Sequence, residues 1–221
     1  MPALLADPRV RLPLVTMAVI ALVILGAALA NRRPGPYYEP FDETGSWGEF
    51  AAFDPHGSGV VSDGAYYMQL PLEMERIWAT AERWYGDAVI SVDVKQVDGP
   101  LRNGHGLIWR ADEGAERFYF FVISSDGIFS AGYCVNLCAG SERNMTRGWL
   151  SNAALHVGYD VVNTIAVRAE GGRFTFYANG TPILEADDAK FAEGDIGLIL
   201  ETYEEGWPTV VFDNLRVEPL E

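Results

Sequence analysis

Positive charge is scarce in this 221-residue chain: 16 Lys and Arg stand against 31 Asp and Glu, a formal net charge of −15. Arg9, Arg11, Arg32 and Arg33 lie near the N-terminus with only Asp7 among them, so the rest carries 12 basic and 30 acidic side chains, −18. A phosphate backbone repels such a surface, which argues against nucleic acid as a partner. Cysteine is scarcer still: Cys134 and Cys138 stand four apart in CVNLC. They either close a small local disulfide in an oxidising compartment, a contribution of roughly 2 kcal/mol, or fill space as reduced side chains. Neither has a histidine at ligand spacing, and His56, His105 and His156 are scattered, so no metal site is indicated. A Gly-x-Ser-x-Gly elbow, a phosphate loop and an HExxH helix are all missing, and with them the reactions those motifs serve. There is no internal repeat and no low-complexity segment.

What is present begins with LPLVTMAVIALVILGAALA, 19 residues without a charge from Leu12 to Ala30. As a helix it is about 28 Å long, close to the thickness of a bilayer's hydrocarbon core. The small-x-small end at Ala28, Leu29 and Ala30 fits a cleaved signal peptide. The length of the run and the arginines after it favour an uncleaved signal anchor. The expected organisation is a short basic segment over 1–11, a transmembrane segment over 12–30, a Pro/Gly linker over 31–39 and one domain over 40–221. A basic start, an apolar stretch and then a domain is the layout of an exported protein, which places the C-terminal domain outside the cytoplasm.

Beyond the linker, short strands alternate with turn residues. VISVDVKQV (Val89 to Val97) sets Ile90, Val92 and Val94 on one face and Ser91, Asp93 and Lys95 on the other. NTIAVRAEGGRFTFYANGTPILEA reads as two hairpins turning at Gly171-Gly172 and Asn179-Gly180. GDIGLIL and TVVFDNLRV add strands, and IWATAERW (Ile77 to Trp84) is the one stretch that could form a short helix. The expected fold is all-β, a two-sheet antiparallel sandwich or jelly roll behind one transmembrane helix.

The order of PFDETGSW, GLIWR, FYFFVISSDGIFS, NTIAVRAEGGRFTFYANGTPI, GDIGLIL and VVFDNLRV, over about residues 40–218, resembles the concanavalin A-like lectin/glucanase superfamily. The likeness is to its bacterial laminin-G-like and keto-disaccharide hydrolase-like modules. It implies two curved antiparallel sheets, with the N-terminal PFDE strand near the C-terminal FDNLRV strand. Lectins, polysaccharide hydrolases and adhesion modules share this fold, so it constrains function loosely. Glucanases of the superfamily are associated with a Glu-x-Asp-x-(x)-Glu strand, whose outer carboxylates stand about 5 Å apart for retaining chemistry. Here EADDAK offers Glu185 and Asp187 but Lys190 in the place of a further acid, and ETYEE (Glu201 to Glu205) lacks the Asp. No catalytic residue is therefore assigned. Calcium, which such folds often hold, has Asp187, Asp188, Asp112 and Glu113 as loop ligands; solvent-facing charge is the simpler reading of those acids.

RFYFFVIS is apolar at every position from Phe118 to Ile123, where a half-buried strand alternates. With Ala111 to Glu116 as a loop and Asp126-Gly127 as a type I′ turn, Trp109 pairs with Phe118 and Phe121 with Gly132. Leu107, Trp109, Phe118, Phe120, Val122, Phe129, Ala131 and Tyr133 then form the core face. Ile108, Arg110, Arg117, Tyr119, Phe121 and Ile123 form the other, floored by Gly104, Gly106 and Gly132. Tyr119 and Phe121 there could stack on sugar rings, with Arg110, Arg117 and Asp93 as hydrogen-bonding rims. They could equally lie across the glycines to cover bare backbone, or sit beneath the loop that ends at Trp149. The expected function is a membrane-anchored, extracytoplasmic, non-catalytic domain that binds carbohydrate or a cell-envelope glycan. Its alternatives are an accessory subunit of a membrane assembly, meeting a protein partner, and a glycan hydrolase with an unrecognised site.

Overall fold

The computed structural model describes residues 34–220 apart from 46, 50–56, 72–74, 115 and 137–142. The expected membrane segment 12–30 and Cys138 lie outside them. No helix among the described residues is long and apolar enough to cross a membrane.

Numbered in chain order, one sheet contains β1 (Tyr37–Glu39), β2 (Ser58–Ser62), β3 (Ala65–Gln69), β5 (Ala88–Asp98), β11 (Asn163–Glu170), β12 (Arg173–Ala178), β13 (Thr181–Asp187) and β15 (Thr209–Pro219). Its order is β13-β12-β11-β5-β15-β3-β2, with β1 also on β15. The second sheet contains β4 (Arg76–Tyr85), β6 (Asn103–Asp112), β7 (Arg117–Ile123), β8 (Ile128–Cys134), β9 (Arg143–Asn144), β10 (Leu150–Ser151) and β14 (Gly194–Thr202). It runs β10-β8-β7-β6-β14-β4, with β9 also on β8. The ladders are antiparallel, as the all-β reading expects.

Both hairpins of NTIAVRAEGGRFTFYANGTPILEA form, as β11-β12-β13. Ile90, Val92 and Val94 of β5 face the core with Ile165 and Val167 of β11 and Phe174 and Phe176 of β12. The N-terminal strand lies on the C-terminal one, Tyr38 opposite Arg216 and Glu39 opposite Leu215. It begins at Tyr37, inside the segment expected as linker. The possible helix Ile77 to Trp84 is strand β4, paired to β14 from Gly194↔Tyr85 to Glu201↔Arg76. Eight residues are too few for an isolated helix, whereas pairing with β14 satisfies the ladder groups on one edge of the strand.

Strand β7 corrects the expected register. Trp109 pairs with Tyr119, Leu107 with Phe121, and Phe121 with Ala131, each one residue away from the expected pairing. The ladder slips between Trp109 and Asp112, where Arg110 adopts φ 50°. The β7–β8 connection is a four-residue loop rather than a two-residue type I′ turn. Ser124 N–H donates to Ile128 C=O at 2.8 Å, Ser124 Oγ to Asp126 Oδ1 at 2.7 Å, and Gly127 alone takes a positive φ. A one-residue slip turns a strand over. So β6 and β8 keep the inward faces expected of them, and β7 between them is reversed: Tyr119, Phe121 and Ile123 face the other sheet.

Candidate functional site

Four of the five residues expected to bind ligand hold the fold together. Phe121 has 0% of its surface exposed and packs on Phe129 and Phe176 with ring centroids 6.2 and 5.1 Å away. Its cross-strand neighbours are Leu107 and Ala131, not glycines. Tyr119 is also fully buried, stacked on Trp109 at 5.5 Å. Its hydroxyl donates to Asp188 Oδ1 at 2.5 Å and accepts from the N–H groups of Lys190 and Phe191. Burial, then the bond to Asp188, pushes this phenol up to about 12.

Arg110 is buried, and its guanidinium donates to the carbonyls of Gly86, Gly171 and Phe191 and to Asp87. One side chain thus ties the β4–β5, β11–β12 and β13–β14 connections together at one end of the sandwich. Arg117 does not face Arg110. It pairs with Asp112 at 3.3 Å and lies over the Phe191 ring at 4.9 Å. Asp93 is on the first sheet, away from the other four.

The loop acids are dispersed as well. Glu185 pairs with Arg173 at the surface, Asp188 holds Tyr119, Asp112 holds Arg117, and Asp187 is exposed beside them on β13. Among the described residues no three His, Cys, Asp or Glu converge as metal ligands. Cys134 is disulfide-bonded, and Cys138 is the chain's other cysteine.

The outer face of the second sheet is apolar. Ile108, Phe118, Phe120, Val122, Cys134 and Ile199 form a buried cluster separate from the inter-sheet core, with Trp78 and Trp149 against it. Both faces of β7 are buried, which is why its sequence does not alternate. Phe118, Phe120 and Val122 fill its alternating outward positions. Glu201 is a carboxylate seated here, beside Gly104, Val122 and Trp149. It pairs with Arg76 at 3.3 Å and accepts a hydrogen bond from Tyr203.

The outer face of the first sheet is polar and carries a hollow. A cavity of about 430 Å³ opens over the centre of β3, β15 and β5. Two cross-strand rows build it. Tyr67, Val211 and Lys95 are aligned across the three strands, and Val162 follows on the approach to β11. The next row sets Asp213 directly opposite Asp93, with Thr164 beyond it. The β2–β3 turn, Asp63-Gly64 with both φ positive, borders the cavity as a two-residue hairpin requires.

Two aspartates directly opposite each other oppose sheet formation. Their surroundings accommodate them. Asp93 accepts from Thr164 Oγ1 at 2.5 Å and Asn214 Nδ2 at 3.1 Å. Asp213 accepts from the Asn214 N–H at 2.6 Å. Asn214 itself takes φ 53° where the ladder is displaced between Asp213 and Arg216, and such irregularities re-aim side chains. Burial, and then the carboxylates of Asp93 and Asp42, raise the Asp213 carboxyl above the ordinary range although the Asn214 N–H opposes the rise. Of the five residues expected from sequence to bind ligand, Asp93 alone lines this cavity. Lys95 is its neighbour on β5, but Tyr67, Asp213 and Asn214 sit on other strands, and only pairing brings them to it.

No family model and no curated protein matches the chain in sequence. In three dimensions it is similar to the carbohydrate binding module CBM66 from Bacillus subtilis, with TM-score 0.52, 20% identity, and 80% of this chain and 92% of that one covered. It is similar to a Bacillus subtilis protein with a galectin-like fold at TM-score 0.61 and 12% identity, over 85% and 97% of the two chains. The Bacillus licheniformis β-glucanase aligns at TM-score 0.57 and 14% identity, over 86% of this chain and all (100%) of that one. The fold is a concanavalin-like jelly roll. At these identities the likeness is one of fold, and the residues of this jelly roll must speak for its function. Its two outer faces differ in chemistry, one apolar and filled, the other polar and hollow.

Proposed function

We propose that this jelly roll binds carbohydrate in the cavity over β3, β15 and β5, is displayed outside the cytoplasm on the apolar segment 12–30, and acts by binding rather than by hydrolysis. The observation that carries the reading is the pair Asp93 and Asp213, held opposite each other at the floor of a polar hollow. Folding alone gives no reason for two facing carboxylates, and rules broken locally mark functional positions. A sugar needs hydrogen-bond acceptors and donors for its hydroxyls and an apolar surface for its C–H groups. Asp93, Asp213, Asn214 and Lys95 supply the first, and Tyr67, Val211 and Val162 the second. The non-catalytic reading is supported by the sequence, which has no Glu-x-Asp-x-(x)-Glu strand.

The test is a glycan array probed with the full chain in detergent micelles, beside Asp93→Asn and Asp213→Asn proteins that unfold cooperatively no lower in temperature than the parent. Binding that both substitutions weaken is expected. An array with no bound glycan, or variants that bind like the parent, defeats the reading. Release of new reducing ends from a bound glycan would overturn its non-catalytic part. The mass of the mature N-terminus tests the anchor, since a chain starting at Asn31 lacks it.

One observation favours a second reading, an accessory subunit of a membrane assembly: the charge-free apolar segment 12–30, long enough to pack as a helix within such an assembly. Such a subunit would co-purify with a stoichiometric partner from gently solubilised membranes.

A further inference from the structure

Resting on the reading of the cavity as a sugar site, we propose that its ligand is a linear, uncharged oligosaccharide chain. In this arrangement the chain runs from Asp93 and Asp213 along β5 and β15 to two aromatic side chains at the rim, Tyr159 and Trp207.

These two are among the most exposed large side chains described, 48% and 59%. They flank one turn, at the end of β5. The Tyr159 hydroxyl donates to the Gly99 carbonyl at 2.5 Å. On the other side Trp207 precedes Pro208, whose Cα would lie 2.5 Å from a Cβ placed on Gly99. The segment bearing Tyr159 continues the line of β11 beside β5, since Asp160 N–H donates to Gln96 C=O at 2.9 Å and its carboxylate pairs with Lys95 at 3.8 Å. The Asp160–Lys95 pair thus sets the Tyr159 segment beside the cavity's row on β5, and the Trp207 segment leads into Thr209, which bonds Gln69 on that outer face.

Between the two ends the outward positions remain suited to hydroxyls. Gln69 Nε2 donates to Thr209 Oγ1 at 3.1 Å, a bond made on the outer face next to Tyr67 and Val211. From Asp93 to Gly99 the strand rises about 20 Å, room for about four pyranose rings end to end. Aromatic faces accept the C–H faces of such rings. Tyr159, pinned through its hydroxyl, and Trp207, set between a glycine and a proline, lose little freedom on binding. Along this track Asp63, Asp93, Asp98 and Asp213 face a single lysine, Lys95, so a uronic acid, sulfated or phosphorylated chain is repelled. A single sugar would fill the cavity and leave the aromatic pair idle.

The experiment is a titration of the full chain in detergent micelles with β-1,4-linked glucose and N-acetylglucosamine oligomers of two and of four units. Tetragalacturonic acid serves as the charged control. The tetramer of the bound series is expected to bind about ten-fold more tightly than the dimer. Trp207→Ala should remove that advantage without altering dimer affinity, Trp207→Phe should retain most of it, and Asp93→Asn should weaken both lengths. If dimer and tetramer bind equally and Trp207→Ala changes neither, the extended site is overturned while the cavity reading stands. Tetragalacturonic acid binding as well as the neutral tetramer overturns it too. If Asp93→Asn leaves both lengths unaffected, the cavity reading falls and takes the extended site with it.

Discussion

Lowering the pH from 7 to 4 is expected to destabilise this domain through one buried side chain, His105 of β6. It alternates with Leu107 and Trp109 along the strand, is fully buried, and its Nδ1 has no hydrogen-bond partner. Burial pulls its pKa down from 6.5 to about 4, and a backbone hydrogen bond with Asn103 offsets only part of that fall. In the unfolded chain the imidazole takes up a proton near pH 6.5, in the folded one only near pH 4. Between those values the unfolded state binds more protons, so stability is fully present above pH 6.5 and drains away as the pH falls towards 4. The interval corresponds to about 3 kcal/mol. Urea unfolding of wild type and His105→Gln at pH 7, 5.5 and 4, followed by tryptophan fluorescence, reads the difference. The wild type should lose about 3 kcal/mol more than the variant over this range. Parallel loss in the two proteins would show that His105 is not held neutral by burial, and the reasoning would fail.

Arg110→Lys keeps the charge but cannot reach Gly86, Gly171, Phe191 and Asp87 at once. A loss of about 3–5 kcal/mol in chemical unfolding is expected, as for a buried charge stripped of partners. Asp213→Asn should raise the thermal midpoint at pH 7 by about 1–2 °C, since it removes a like-charge pair of the cross-strand kind. The sign with pH is opposite to that of His105. The folded-state pKa of Asp213 is raised, so the folded protein holds the proton more tightly, and its carboxylate penalty develops as pH rises through the carboxyl range. The advantage of the variant should therefore vanish in acid, which calorimetry at pH 3 and pH 7 would show.

The sandwich itself was legible from local patterning. Alternation along VISVDVKQV, glycine turns in the β11–β13 hairpins and the scarcity of helical periodicity all carry over into the structure, because each depends on neighbours in sequence. RFYFFVIS was not legible in the same way. A strand buried on both faces carries no period, so its orientation had to be inferred from turn geometry, and an irregularity at Arg110 and a four-residue loop at Ser124 each displaced that inference by one residue. The result exchanged Tyr119 and Phe121 for Phe118, Phe120 and Val122 as the outward set. Arg110 was misread for a related reason. An arginine on a strand suggests a rim, but three distant carbonyls that converge on it leave no trace along the chain.

Composition and periodicity were enough to establish an acidic, all-β domain behind a 19-residue apolar segment, without the motifs of the common hydrolases. Those properties are sums and local patterns, and need no long-range contact. Which surface is hollow, and which side chains meet there, depended on pairing β3, β15 and β5 across more than a hundred residues of chain. Asp93 and Asp213 are ordinary surface acids when read singly. They become a site only because antiparallel registry sets them face to face.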